Sequence, residues 1–225
     1  IPHVVSVDFK KRNKSSKTFC FPLKCPSCGS KTVKDFNQIT KKQDAVRRCS
    51  SEGYECEKIA IEKLKHFVSK EAFNIDGFGK KIVENFWELK LIKLPQDIFN
   101  LDYNKIEDLE GWGKLSVSNL KFSIDQKKQI SLERFIYSLG IRHIGQENAK
   151  LIANHLRSSV NFFKLGESKN IENLSNIDGI GETQINSIKV FFVNKTNIEV
   201  LSKLNKSLII SNINLVNKDG LLKNK

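Results

Sequence analysis

One short pattern recurs four times in this chain, and it limits the possible folds more than any other feature. Ile75-Asp76-Gly77-Phe78-Gly79 is followed by Leu109-Glu110-Gly111-Trp112-Gly113. Leu139-Gly140-Ile141-Arg142-His143-Ile144-Gly145 comes third and Ile177-Asp178-Gly179-Ile180-Gly181 fourth, so that successive last glycines stand 34, 32 and 36 residues apart. A repeat of that period is one supersecondary unit used several times. Each copy is expected to close a short apolar helix, turn on its glycines, and open a second helix at once. The second helices are expected over 80–87, 114–122, 146–156 and 182–192. Ahead of the first copy, Ile59, Ile61, Leu64, Phe67 and Val68 recur at helical spacing and mark one broad apolar face. The fold class is therefore mainly α.

The turn has a chemistry of its own. A helix that begins on glycine leaves its first N–H groups pointing outward, where they can hold a phosphate oxygen. A single copy could be an ordinary helix–helix turn, but four at near-equal spacing read as helix-hairpin-helix motifs. Such motifs grip the DNA backbone across the minor groove without reading sequence. The candidate DNA-binding residues are Gly77, Gly79, Lys80 and Lys81 in the first hairpin and Gly111, Gly113 and Lys114 in the second. Gly140, Arg142, His143 and Gly145 are the candidates in the third, and Gly179 and Gly181 in the fourth. Glu182 stands in the fourth copy where a lysine would be expected, which weakens phosphate binding there. The middle apolar residues, Phe78, Trp112, Ile144 and Ile180, are expected to plug the gap between the two helices rather than to stack on bases.

Ahead of the repeats the composition changes. All five cysteines precede residue 57, at 20, 25, 28, 49 and 56. An odd number without a signal peptide argues against a disulfide scaffold. Cys25-Pro26-Ser27-Cys28-Gly29 has the form of a zinc-knuckle turn, and Cys49 with Cys56 supplies a second pair. Four thiolates suit a structural zinc ion with no position left for water. Cys20 is a rival first ligand, and it is expected instead to be semi-buried beside Phe19 and Phe21. Residues 24–57 are too polar to hold together by burial, so the metal must supply the folding free energy. No histidine lies near the set, and none of the four (His3, His66, His143, His155) groups with paired carboxylates, so no catalytic residue is assigned.

Charge follows the same division. Residues 1–70 carry 16 basic against 7 acidic side chains, residues 71–200 carry 17 of each, and residues 201–225 carry 5 against 1. A basic entry module suits an anionic polymer, while the neutral middle implies modest affinity resting on backbone N–H groups. An A/T-rich genome would also enrich lysine.

Finger, hairpins and linker together resemble the C-terminal half of the bacterial NAD-dependent DNA ligases. The resemblance runs from residue 1 to about residue 205. It implies the last strand of an OB domain and a linker over 1–19, a four-Cys zinc finger over 20–58 (ligands Cys25, Cys28, Cys49 and Cys56), and a helix-hairpin-helix domain over 59–205. Residues 206–225 would lead toward a BRCT domain. The chain lacks Met even at position 1 and is expected to be an excised or processed piece. Cys56-Glu57-Lys58-Ile59 departs from the family's usual sequence at the fourth ligand, and the last intercysteine loop is slightly long.

The implied enzyme seals 3′-hydroxyl/5′-phosphate nicks in duplex DNA through enzyme-AMP and DNA-AMP intermediates. It uses NAD and Mg2+, both bound outside this chain, and serves DNA replication and repair. Its adenylated lysine lies in a Lys-x-Asp-Gly motif. Lys218-Asp219-Gly220 imitates that motif, but Asn217 occupies the lysine's place. The chain alone is therefore expected to be inactive, to position nicked duplex, and to be a monomeric bacterial cytoplasmic protein associated with the nucleoid. Two other readings are a stand-alone zinc-containing accessory protein for DNA repair and a scaffold whose glycine turns only connect helices. No apolar run is long enough to span a membrane.

Overall fold

The computed structural model describes residues 5–37, 41–166 and 168–213. The first four residues of the expected OB strand and Asn217 to Gly220 fall outside these, as does most of the expected lead-in over 206–225. The chain divides into two compact units, 1–50 and 51–225.

The first unit has almost no apolar interior. Among its described residues only Thr32 is buried, at 6% exposure, while Val5, Phe9, Phe19 and Leu23 stand out in solvent. Residues 5–8, expected to continue a strand, form none, and a 3-10 turn follows at Phe9–Lys11. A strand is stable only when paired, and no described residue pairs with this segment. Two short antiparallel ladders build the finger. β1 (Thr32–Val33) pairs with β4 (Arg48–Cys49), and β2 (Phe36–Asn37) pairs with β3 (Lys42–Gln43). Arg47 braces the first ladder, its Nε donating to Thr32 Oγ1 at 2.8 Å and its guanidinium to Thr32 O at 2.6 Å.

The second unit is mainly helical. α1 (Glu57–Phe67) leads through the first glycine turn into α2 (Lys80–Glu88). α3 (Tyr103–Glu107) leads through the second into α4 (Lys114–Gln126), and α5 (Leu132–Ser138) through the third into α6 (Gln146–Leu156). After α7 (Ser159–Phe163), the fourth turn opens α8 (Glu182–Val193), and α9 (Lys195–Ser207) follows. The segment before the fourth turn, Ser168–Asn176, is a 3-10 helix rather than an α-helix. It is rich in Asn and Ser, whose side chains compete with the backbone for hydrogen bonds.

The array is also not purely helical. β5 (Gln129–Ser131) and β6 (Ile209–Ser211) form a parallel pair, with Ile130 opposite Ile210. Parallel strands need a long crossover between them, and here the third and fourth hairpins supply it.

One continuous apolar core runs through this unit, and the plug residues belong to it. Phe78 is 1% exposed, Ile144 and Ile180 5% each, and half-buried Trp112 packs against the same core. Phe86 joins two hairpins, with its ring centroid 5.5 Å from those of both Phe78 and Trp112. The aromatic plugs are thus core residues, as their position between helices required.

Candidate nucleic-acid interface and metal centre

The four turns share a backbone geometry that the sequence explains. A carbonyl three residues back accepts from the plug residue's N–H in every copy: Ile75 from Phe78, Leu109 from Trp112, Ile141 from Ile144 and Ile177 from Ile180, at 3.0–3.2 Å. The residue before each plug is left-handed. It is glycine in three copies, with φ +76° at Gly77, +81° at Gly111 and +90° at Gly179. In the third copy it is His143, with φ +62°.

This shifts the expected pairing of Gly140 with Gly145. The structural counterpart of Gly77 is His143, two residues ahead of Gly145. Gly140 is left-handed too, but it lies before the turn, where an added Cβ would meet His66 Cδ2 at 3.4 Å. Its counterpart in the first hairpin is Asn74, left-handed at φ 51°. Sequence alone missed this because two glycines flanking Ile141-Arg142-His143-Ile144 looked like the pair.

The second glycine of each copy plays another part. Gly79, Gly113, Gly145 and Gly181 are the N-caps of α2, α4, α6 and α8, all in extended backbone that any residue adopts. Around Gly79, Gly113 and Gly145 an added Cβ would meet nothing within 4 Å. Sterics therefore do not require glycine at these three positions, although glycine is a fair N-cap. A surface that must admit something else closely gives a further reason for it.

A clean stability contrast follows. Gly111→Ala should cost about 1–2 kcal/mol from forcing a side chain into the left-handed region. Gly113→Ala, in extended backbone with open space around it, should cost less, about 0.5–1 kcal/mol for a poorer N-cap. Denaturant unfolding of the two variants checks this, and equal losses would contradict it.

The hairpins differ in how their N-caps are used. Gly113 N–H donates to Ser116 Oγ at 2.9 Å, and Gly181 N–H donates to Gln184 Oε1 at 3.2 Å. No such side chain caps Gly79 or Gly145 among the described residues. Lys80, Lys81 and Lys114 are exposed and have no carboxylate within ion-pair distance among the described residues. Arg142 and His143 are exposed at the third turn, where Asn148 Nδ2 donates to His143 O at 3.0 Å. Lys65 is engaged instead: its ammonium joins Glu62 at 2.6 Å and Glu84 at 2.7 Å, tying α1 to α2. Those hydrogen bonds raise its pKa above the ordinary lysine value.

The four cysteines of the candidate metal centre come together. Gly29, at φ +73°, lets the knuckle fold back, with its N–H donating to Cys25 O at 2.9 Å and Cys25 N–H donating to Ser30 O at 2.7 Å. The sulfurs of Cys25, Cys28, Cys49 and Cys56 all lie within 4.8 Å of one another, and those of Cys28 and Cys49 are 3.4 Å apart. A tetrahedral zinc ion with Zn–S bonds of about 2.3 Å needs sulfurs about 3.8 Å apart. The set fits, and four thiols with no oxygen donor favour zinc over hard cations. Cys20 takes no part. It is exposed rather than semi-buried, because the neighbouring Phe19 and Phe21 pack on each other and not on a core.

Comparison with known proteins agrees with this layout. Residues 134–201, covering the third and fourth hairpins, match the model of the helix-hairpin-helix motif family. A DNA ligase of Pelagibacter ubique is 76% identical over all 225 residues, which are 33% of its own length. The resemblance to DNA ligases holds along the whole chain. A DNA ligase of Parvibaculum lavamentivorans is 41% identical over 92% of the chain and 31% of its own length, and one of Wolbachia pipientis is 41% identical over all of the chain and 34% of its own. The chain thus spans about a third of the ligase relatives it matches. No described helix is long and apolar enough to cross a membrane.

Proposed function

We propose that this chain is the duplex-gripping portion of an NAD-dependent DNA ligase, holding a nick in position for adenylation chemistry carried out elsewhere in the enzyme. The observation that carries the reading is the set of N-cap glycines Gly79, Gly113 and Gly145, open to solvent in a backbone that does not require glycine. The uncapped helix N-terminus beside Lys80 and Lys81, and Lys114 next to the N-cap that Ser116 closes, match the charge and close approach of DNA phosphates. Gly77, Gly111, Gly179 and Gly181 shape the remaining turn surface, and Arg142 and His143 add side-chain donors at the third. Backbone contacts carry no base information, so binding is independent of sequence.

Zn2+ is the resident metal of this chain. Held by Cys25, Cys28, Cys49 and Cys56, it supplies folding free energy and no chemistry. NAD and Mg2+ act with the rest of the enzyme. They serve transfer of AMP to the 5′-phosphate and attack by the 3′-hydroxyl, in replication and repair in the bacterial cytoplasm. On this reading the chain alone is inactive, because its sequence carries no Lys-x-Asp-Gly motif of the kind such a ligase adenylates. It acts as a monomer.

The test is a titration of the zinc-loaded chain with fluorescent nicked duplex, intact duplex and single strand at two salt concentrations. Duplex binding should weaken steeply with salt, by about 0.9 log units per phosphate contact for each tenfold change. Binding that ignores salt would favour a scaffold whose turns only connect helices.

A further inference from the structure

The first and third hairpins are cross-linked through their leading helices. Arg134, on α5, donates from Nε to Ala72 O at 2.8 Å and from its guanidinium to Lys70 O at 2.6 Å. Both carbonyls belong to the loop that leads from α1 into the first glycine turn. A contact also runs the other way. His66, on α1, lies 2.7 Å through Nε2 from Tyr137 O at the end of α5, and its ring packs edge-on against Tyr137 with centroids 4.6 Å apart. A carbonyl can only accept, so Nε2 carries the proton. Gly140, just beyond, seats the approach to the third turn directly on His66.

The two hairpins joined in this way are also alike. Each carries two left-handed residues at the same spacing, Asn74 with Gly77 and Gly140 with His143. Each opens its second helix on a glycine with no side-chain cap. The second and fourth hairpins have neither feature; their N-cap N–H groups are taken by Ser116 and Gln184.

From this we infer that Arg134, with His66, is a positioning residue that fixes the first and third hairpins at one separation and angle, so that both hold the backbone of the same duplex. The inference rests on the proposed duplex-binding function. Two weak grips on a rigid frame bind as one strong grip, because the second contact costs little further entropy once the first is made. Apolar packing alone fixes helix pairs only loosely in angle. The Arg134 fork, reading two carbonyls of one loop, is directional and fixes the angle. Around it lies an open cleft of about 380 Å³ whose lining includes Lys70, Glu71, Glu147 and Lys150. Water there can solvate the loop carbonyls when the guanidinium is removed, so the fold should tolerate the loss.

The experiment uses the full 225-residue chain with zinc bound. Arg134→Met keeps the aliphatic stem and removes both donors, and Arg134→Lys tests partial rescue. His66→Phe is the second route, keeping the ring contact with Tyr137 while removing the N–H. Each is measured for thermal unfolding and for nicked-duplex affinity over a salt series, alone and combined with Gly145→Val.

Arg134→Met should remain folded and bind about tenfold more weakly, with a shallower salt slope because one hairpin's phosphates are lost. Combined with Gly145→Val it should lose little more, since both changes disable the same second grip. Arg134→Lys should fall between. Unchanged affinity, or a loss with the wild-type slope that adds fully to Gly145→Val, would overturn the positioning role while leaving duplex binding intact. If Arg134→Met unfolds, the same criteria apply to His66→Phe. Failure of the wild-type chain to bind duplex at all would remove the proposed function, and this inference with it.

Discussion

Cys56→Ser is expected to release the zinc ion and unfold the finger while the helical unit stays intact. Cys56 is 1% exposed and is the N-cap of α1, yet its side chain makes no capping hydrogen bond. Serine is a favoured N-cap, so the substitution leaves the start of the helix as good or better. What it removes is one of four thiolates. Apart from Cys56 and Gly53, the finger has little else among its described residues: four two-residue strands, buried Thr32, and exposed Val33, Phe36 and Val46. With apparent zinc binding worth about 10–16 kcal/mol and no core in reserve, loss of the metal exceeds anything the ladders can supply. Metal content should fall from about one zinc per chain to none. Amide protons of residues 31–33 and 48–50 should lose protection from exchange, while the main thermal transition of residues 51–213 stays near its wild-type value. Zinc retained at full stoichiometry would refute the four-cysteine site.

The second large effect is on DNA. Gly79→Val and Gly145→Val should each weaken nicked-duplex binding about tenfold or more. Both positions have extended backbone, φ −75° and −80°, and open space where the side chain would go. Each change should therefore cost the fold no more than about 1 kcal/mol, the usual penalty of a poor N-cap. The branched side chain would instead occupy the place a phosphate must reach, holding it away from the helix N–H groups. Affinity and thermal stability measured on the same samples separate the two effects. A folded variant with wild-type affinity would argue against these turns as the DNA grip.

Much of this was legible in the residues because the signals were local. A glycine that must be left-handed, as at Gly111, is dictated by the turn it sits in. The thiol spacing 25, 28, 49 and 56 already contains the knuckle and its return. The plugs Phe78 and Ile144 could be assigned to the core because a residue between two closely approaching helices has no route to solvent. Where the reading failed, the cause was non-local. Gly140 looked like a turn glycine because its neighbour in space, His66, is more than seventy residues away along the chain. The β5–β6 pair was invisible because Gln129-Ile130-Ser131 and Ile209-Ile210-Ser211 are too short to signal a strand without knowledge of each other. The expected strand over 5–8 had the opposite fault, β-forming composition with no partner among the described residues.

By itself, then, the sequence determined the mainly helical class, the placing of the four glycine turns ahead of their second helices, and the four cysteines that the fold brings together. Each of these is settled by backbone sterics or ligand chemistry within a few tens of residues. Only the tertiary structure decided that His143 holds the third glycine's place, that Ser116 and Gln184 close two of the four N-caps, and that Arg134 and His66 bind the first hairpin to the third. Those outcomes depend on which side chains and carbonyls meet across the fold. One-dimensional periodicity carries no record of such meetings.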